Sequence, residues 1–133
     1  MTQAPRVAKA VCIVAGLLFG CGEMPIPSEP NAGPAPIKPV LCVGKAKCDI
    51  YWQRAQAWVA NNSEYGLETV TDTVIETHGP VAGRTGLAFR VTRVPDDKGD
   101  GARIFILAAC GNAFGCSPAP ADALIAFRRF VTN

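Results

Sequence analysis

Residues 86 to 110 read GLAFRVTRVPDDKGDGARIFILAAC. Leu87, Phe89 and Val91 fall on one parity and Arg90 and Thr92 on the other, the period of a strand with one wet face. ARIFILAAC, residues 102 to 110, is apolar almost throughout and reads as a central strand. DDKGDG between them is a turn by composition. Working outward, GLETVTDTVIETH at residues 66 to 78 is rich in Thr, Val and Ile, as strands are. Leu67, Thr69, Thr71, Thr73, Ile75 and Thr77 share one face, and Glu68, Val70, Asp72, Val74, Glu76 and His78 the other. Neither face is cleanly apolar, so a bulge or break is expected near Asp72. The three strands make an antiparallel meander.

Helical spacing flanks the meander on both sides. In CDIYWQRAQAWVANN, residues 48 to 62, Tyr51, Ala55 and Trp58 form a stripe reinforced by Trp52 and Val59. Asp49 is placed in the first turn, where the helix dipole favours an acid, and Asn61-Asn62 marks the stop. Two tryptophans on such a stripe belong to a core; a carbohydrate platform is the sharper alternative. In residues 117 to 132 Ser117 is read as the cap and Pro118 as the first helical position. Leu124, Phe127 and Val131 form the apolar stripe, helped by Ala123 and Phe130, with Arg128 and Arg129 at the C-terminal end. The expected fold is α+β, in the order α-β-β-β-α, with both helices on one face of a three-stranded sheet.

The N-terminus has a different character. Arg6 and Lys9 precede AVCIVAGLLF, ten apolar residues from 10 to 19. A membrane-spanning helix takes about 20 residues, so this is read as a removable signal of residues 1–20. Leu18-Phe19-Gly20-Cys21 resembles the lipobox of bacterial lipoproteins, with Phe19 as its one departure. The resemblance implies cleavage before Cys21 and acylation of Cys21, hence a membrane partner reached through lipid. Each buried methylene of such a chain contributes about 0.8 kcal/mol. In a host with two membranes, Gly22, in place of the Asp that holds such proteins at the inner membrane, implies the outer one, facing the periplasm. Residues 21–41 then form a tether. Six prolines in residues 22 to 40 exclude a helix or a central strand, and at ~3.1 Å per residue the segment reaches roughly 60 Å when extended. A proline-rich ligand for an SH3-like partner is the lesser reading. The folded domain is residues 42–133.

Processing changes the composition. The chain has 13 basic against 11 acidic residues; without Arg6 and Lys9 the two balance. A neutral domain gives no electrostatic basis for binding nucleic acid. Of six cysteines, Cys12 leaves with the signal and Cys21 takes the lipid. Cys42, Cys48, Cys110 and Cys116 remain, an even number suited to disulfides in an oxidising compartment. Each neighbouring pair encloses five residues, VGKAK and GNAFG, which favours local pairing over long-range pairing. Zinc sites prefer tighter spacing, so no metal or cofactor is expected.

Catalytic constellations are sparse. His78 stands before Gly79-Pro80, and Ser63 lacks the glycines of a nucleophile elbow. Glu68, Asp72 and Glu76 on one strand are spaced by ~13 Å, beyond the ~5–9.5 Å of glycosidase pairs; across strands they suit Arg90 or Arg93. Residues 96–101 place Lys98 where a calcium loop needs an oxygen ligand. The expectation is a non-catalytic envelope lipoprotein that docks a periplasmic protein or the cell wall, with an inhibitor or immunity-type protein against a periplasmic enzyme as the alternative. The candidate surface is the open sheet face with Thr69, Thr71, Thr73, Arg90 and Thr92, or the GNAFG loop. There Phe114 is either an exposed anchor or buried under the C-terminal helix. Cys21→Ser is expected to yield a soluble or uncut form on cell fractionation; a processed, still membrane-bound form would contradict the anchor.

Overall fold

The computed structural model describes residues 38–133. The signal, Cys21 and the tether up to residue 37 lie outside the described residues. Strands β4 (Ala88–Pro95) and β5 (Gly101–Ala109) form the hairpin, in register from Ala88 opposite Ala109 to Pro95 opposite Ala102. Its turn is closed by the Asp96 N–H donating to the Gly101 carbonyl at 2.9 Å and the Gly99 N–H to the Asp96 carbonyl at 3.1 Å.

The sheet has five strands rather than three, all antiparallel, in the order β1-β5-β4-β3-β2. The stretch at 66–78 divides into β2 (Leu67–Val70) and β3 (Val74–Thr77), a full break at the place near Asp72 where a bulge or break was expected. The cause is local: the Thr71 N–H donates to the Val74 carbonyl at 2.8 Å, and the Thr71 hydroxyl accepts from the Val74 N–H at 2.9 Å. A threonine side chain that bonds its own backbone in this way builds turns, not ladders. The fifth strand, β1 (Val40–Val43), lies on the far side of β5, Val40 opposite Ile104 and Cys42 opposite Ala102. It begins directly after Pro39, inside the stretch read as tether.

Helix α1 (Lys45–Asn62) follows β1 with only Gly44 between them, at φ 86°, the left-handed region that glycine enters without strain. The helix starts three residues before the expected Cys48, so Asp49 lies in its second turn and the first turn holds no acid. Its end follows expectation: the Asn61 and Asn62 side-chain amides fold back and donate to the Ala57 and Trp58 carbonyls one turn earlier. Helix α2 (Pro120–Thr132) starts later than expected, with Pro120 in its first turn after Ala119. Ser117 and Pro118 therefore lie upstream and cap nothing.

Both helices pack on one face of the sheet. Parity assigns that face Val40 and Cys42, Ala102 and Ile104, Phe89 and Val91, and Ile75, all buried. From α1 they meet Tyr51, Trp52, Ala55, Trp58 and Val59, and from α2 Ala123, Phe127 and Val131. The spacing of each set is the 3.6-residue period of a helix with one apolar stripe. Arg54 ties the helices together, its Nη1 donating to the Val131 carbonyl at 3.2 Å. Thr77 is the buried polar residue of this face, and its hydroxyl accepts the Phe89 N–H at 2.9 Å where the β3–β4 ladder ends. The cysteines pair locally, Cys42 with Cys48 and Cys110 with Cys116. The first staples β1 to α1 inside the core; the second closes the loop after β5.

Phe127 is fully buried, while Phe130 on the same helix is half exposed. Phe127→Ala is expected to lower unfolding free energy by about 3–5 kcal/mol, and Phe130→Ala by no more than about 0.5 kcal/mol. Urea denaturation of the two variants checks the difference.

Candidate functional site

The loop from Cys110 to Cys116 is the most unusual surface of the domain. Phe114 is 102% exposed at its apex. The loop around it is nonetheless fixed. The disulfide closes its ends at a Cα separation of 5.7 Å, the Phe114 N–H donates to the Asn112 Oδ1 at 2.8 Å, and the Asn112 Nδ2 donates to the Gly83 carbonyl at 3.0 Å. A second loop, residues 79–86, supports it from the side: the Gly83 N–H donates to the Gly111 carbonyl at 2.8 Å and the Ser117 N–H to the Thr85 carbonyl at 2.9 Å. The two backbones approach so closely that a Cβ on Gly111 would collide with the Val81 carbonyl. Glycine there permits the support. Of the two placements open in the sequence, Phe114 takes the exposed one.

The helix-free face of the sheet carries Arg90 and Thr92, opposite Leu107 and Phe105, and Thr69, opposite Glu76 across the β2 bulge. Arg90 reaches Glu76 at 3.5 Å, the cross-strand pairing expected of that acid. Thr71 and Thr73 do not join this face. They form the β2–β3 turn, where the Thr71 hydroxyl is committed to the turn's own backbone. The sequence reading missed what else the open face holds: Leu41, Val43, Phe105 and Leu107 are exposed there, with Val43 at 78%. Apolar residues of both parities in β5 read as a doubly buried strand, and only the pairing shows that one parity faces out.

A cleft of about 730 Å³ lies at the other end of the sheet, between α1, the β2–β3 turn and the β4–β5 turn. Arg93, on the helix-covered face by parity, lines it with a side chain 17% exposed. Its Nη2 donates to Asp49 Oδ1 at 3.0 Å, while Lys45 Nζ holds Asp49 Oδ2 at 2.6 Å. The Lys45 hydrogen bond first, and the Arg93 hydrogen bond second, hold the Asp49 carboxyl below its ordinary range. Trp52 forms part of the wall, its Nε1–H donating to the Thr71 carbonyl at 3.0 Å.

Both tryptophans are buried, which removes the stacking platform from consideration. His78 is exposed, stands 3.8 Å from Glu68 and does not line the cleft. The Ser63 hydroxyl donates to the Leu87 carbonyl at 3.1 Å and accepts the Tyr65 N–H at 3.0 Å, so it serves the chain reversal after α1. Glu68, Asp72 and Glu76 fall on β2, the turn and β3 in succession, not in one row. Among the described residues no group of three His, Cys, Asp or Glu side chains is arranged to hold a metal ion. Comparison with protein families, with curated proteins and with solved structures returns no match for this chain.

Asp49 gives a pH prediction. A carboxyl whose folded pKa is depressed stabilises the native state fully above its unfolded value, about 4. That contribution is lost as pH falls through the lower folded value. Asp49→Asn is therefore expected to narrow the difference between urea midpoints at neutral pH and at about pH 3.

Proposed function

We propose that the chain is a non-catalytic lipoprotein of the cell envelope, anchored through acylated Cys21, whose domain docks a periplasmic protein partner with Phe114. One observation carries the reading: a phenylalanine fully exposed on a loop whose backbone is held by a disulfide and by hydrogen bonds on both sides. Burying such a side chain is worth about 1.5–3 kcal/mol. A fold that leaves it in water while fixing its backbone lowers the ordering cost of inserting it into a partner's pocket. The tether supplies reach from the membrane. Arg90, Thr92 and the exposed Leu107 form the adjoining surface at this end of β4 and β5.

The inhibitor or immunity-type reading uses the same loop. A single rigid apolar anchor at the tip of a small stapled domain suits the concave pocket of an enzyme. The two readings differ in the partner and not in the contact.

A photo-crosslinking amino acid in place of Phe114, introduced in the native envelope, is expected to capture one dominant protein. Phe114→Ala is expected to weaken binding to that protein by roughly 30-fold, with an unchanged melting temperature. Crosslinks spread over many proteins or confined to peptidoglycan, or a Phe114→Ala variant that binds normally, would overturn the proposal. If the captured protein is an enzyme, its rate with and without added domain separates inhibition from assembly.

A further inference from the structure

We propose that the cleft between α1 and the two turns is a second binding site, for a short peptide bearing both a free carboxylate and a free amine. The cleft lies at the Gly101 end of β5, and the Phe114 loop follows its Ala109 end. Nine residues of strand separate them, about 30 Å at ~3.4 Å per residue. The site is thus independent of Phe114.

The first observation is Arg93. Parity sets it on the helix-covered face, among residues that are otherwise largely apolar, and its side chain is mostly buried. A guanidinium carries five N–H donors. One reaches Asp49; among the described residues no other side-chain hydrogen bond of Arg93 forms. Its remaining donors are not sealed in the core but reach the cleft, where a ligand can take them. A planar fork with free donors matches a carboxylate, which it can take two oxygens at a time.

The second observation is the distribution of charge. Lys45, 86% exposed at the mouth, and Arg93, 17% exposed further in, share the single carboxylate of Asp49, which leaves this trio with one uncompensated positive charge. Asp72 and Asp100 also line the cleft, are exposed, and form no ion pair among the described residues. A guanidinium set inside a cleft whose exposed margin carries Lys45, Asp72 and Asp100 is complementary to a molecule that carries a carboxylate and an ammonium apart from each other.

The third observation is the remaining lining. Gln53 and Gln56 on α1 offer amide donors and acceptors, as a peptide backbone requires. Val70, Pro95 and Ala102 give small apolar contacts, which suit short side chains. The cleft's volume falls within the ~300–1,000 Å³ of small-ligand sites. A neutral sugar fits less well, because Trp52 is buried with its N–H already bonded and no aromatic face is open for stacking. Asp72 and Asp100 at the margin disfavour nucleic acid.

The test is NMR titration of the intact, ¹⁵N-labelled chain in detergent with trialanine, its C-terminal amide and its N-acetyl form. Trialanine is expected to give saturable shifts of the Trp52 indole N–H and of the Thr71 and Thr73 amides. Blocking either terminus is expected to weaken binding roughly tenfold or more. Asp72→Asn, on an exposed turn, is expected to weaken trialanine but leave the N-acetyl form unchanged. Arg93→Lys is expected to weaken trialanine but not its amide. Phe114→Ala is expected to leave the titration unaltered. Absence of saturable shifts at millimolar peptide, equal binding of blocked and free forms, or shifts with chitotriose but not with trialanine would each overturn the proposal.

Discussion

The packing centres on one side chain, Trp58, and its two aromatic contacts. Trp58 of α1 stands edge-on to Phe89 of β4, with ring centroids 5.2 Å apart, and to Phe127 of α2, at 5.3 Å. Interplanar angles of 74° and 82° place ring edges against ring faces, the arrangement that aromatic quadrupoles favour. Three elements distant in sequence meet at that point. Both helices are thereby committed to the same face of the sheet, which leaves the other face to solvent. The two ends of the β4–β5 hairpin hold the Phe114 loop on one side, next to Phe89, and the cleft on the other.

The two disulfides close loops of equal length, and the chain-entropy argument gives each a similar stabilisation, about 2 kcal/mol. Their surroundings divide their roles. Cys42 and Cys48 are buried and fasten β1 to α1 across the Gly44 turn, where a short edge strand has few other contacts. Cys110 and Cys116 are half-buried and close a loop whose apex side chain meets only water. The first bond is explained by the fold. The second holds in place a residue that the fold itself does not use.

Much of the scaffold was legible in the sequence because its signals are local. The stripe from Tyr51 to Val59, the alternation from Leu87 to Val91 and the local cysteine pairing each appear in the structure. The break near Asp72 was legible too, because neither face of 66–78 is cleanly apolar; its form was not, since the Thr71 hydroxyl builds the turn and Trp52 of α1 holds the Thr71 carbonyl in place. What escaped depends on context. Val40–Val43 is too short to signal by itself and follows a proline-rich run; its partner β5 lies about sixty residues further on. Phe114 was undecided because GNAFG has no periodicity from which to assign a face. Arg93 had a usable signal, a charged residue on the parity of Phe89 and Val91, but its meaning required the position of Asp49.

The central claim is that Phe114 is exposed on a loop that is already rigid. Backbone ¹⁵N order parameters for residues 110–116 of the free, oxidised protein test it most directly. Values near 0.85, as in the flanking strands, are what the account predicts. Values below about 0.6 across the loop would contradict it, because a mobile loop would have to be ordered at the moment of binding.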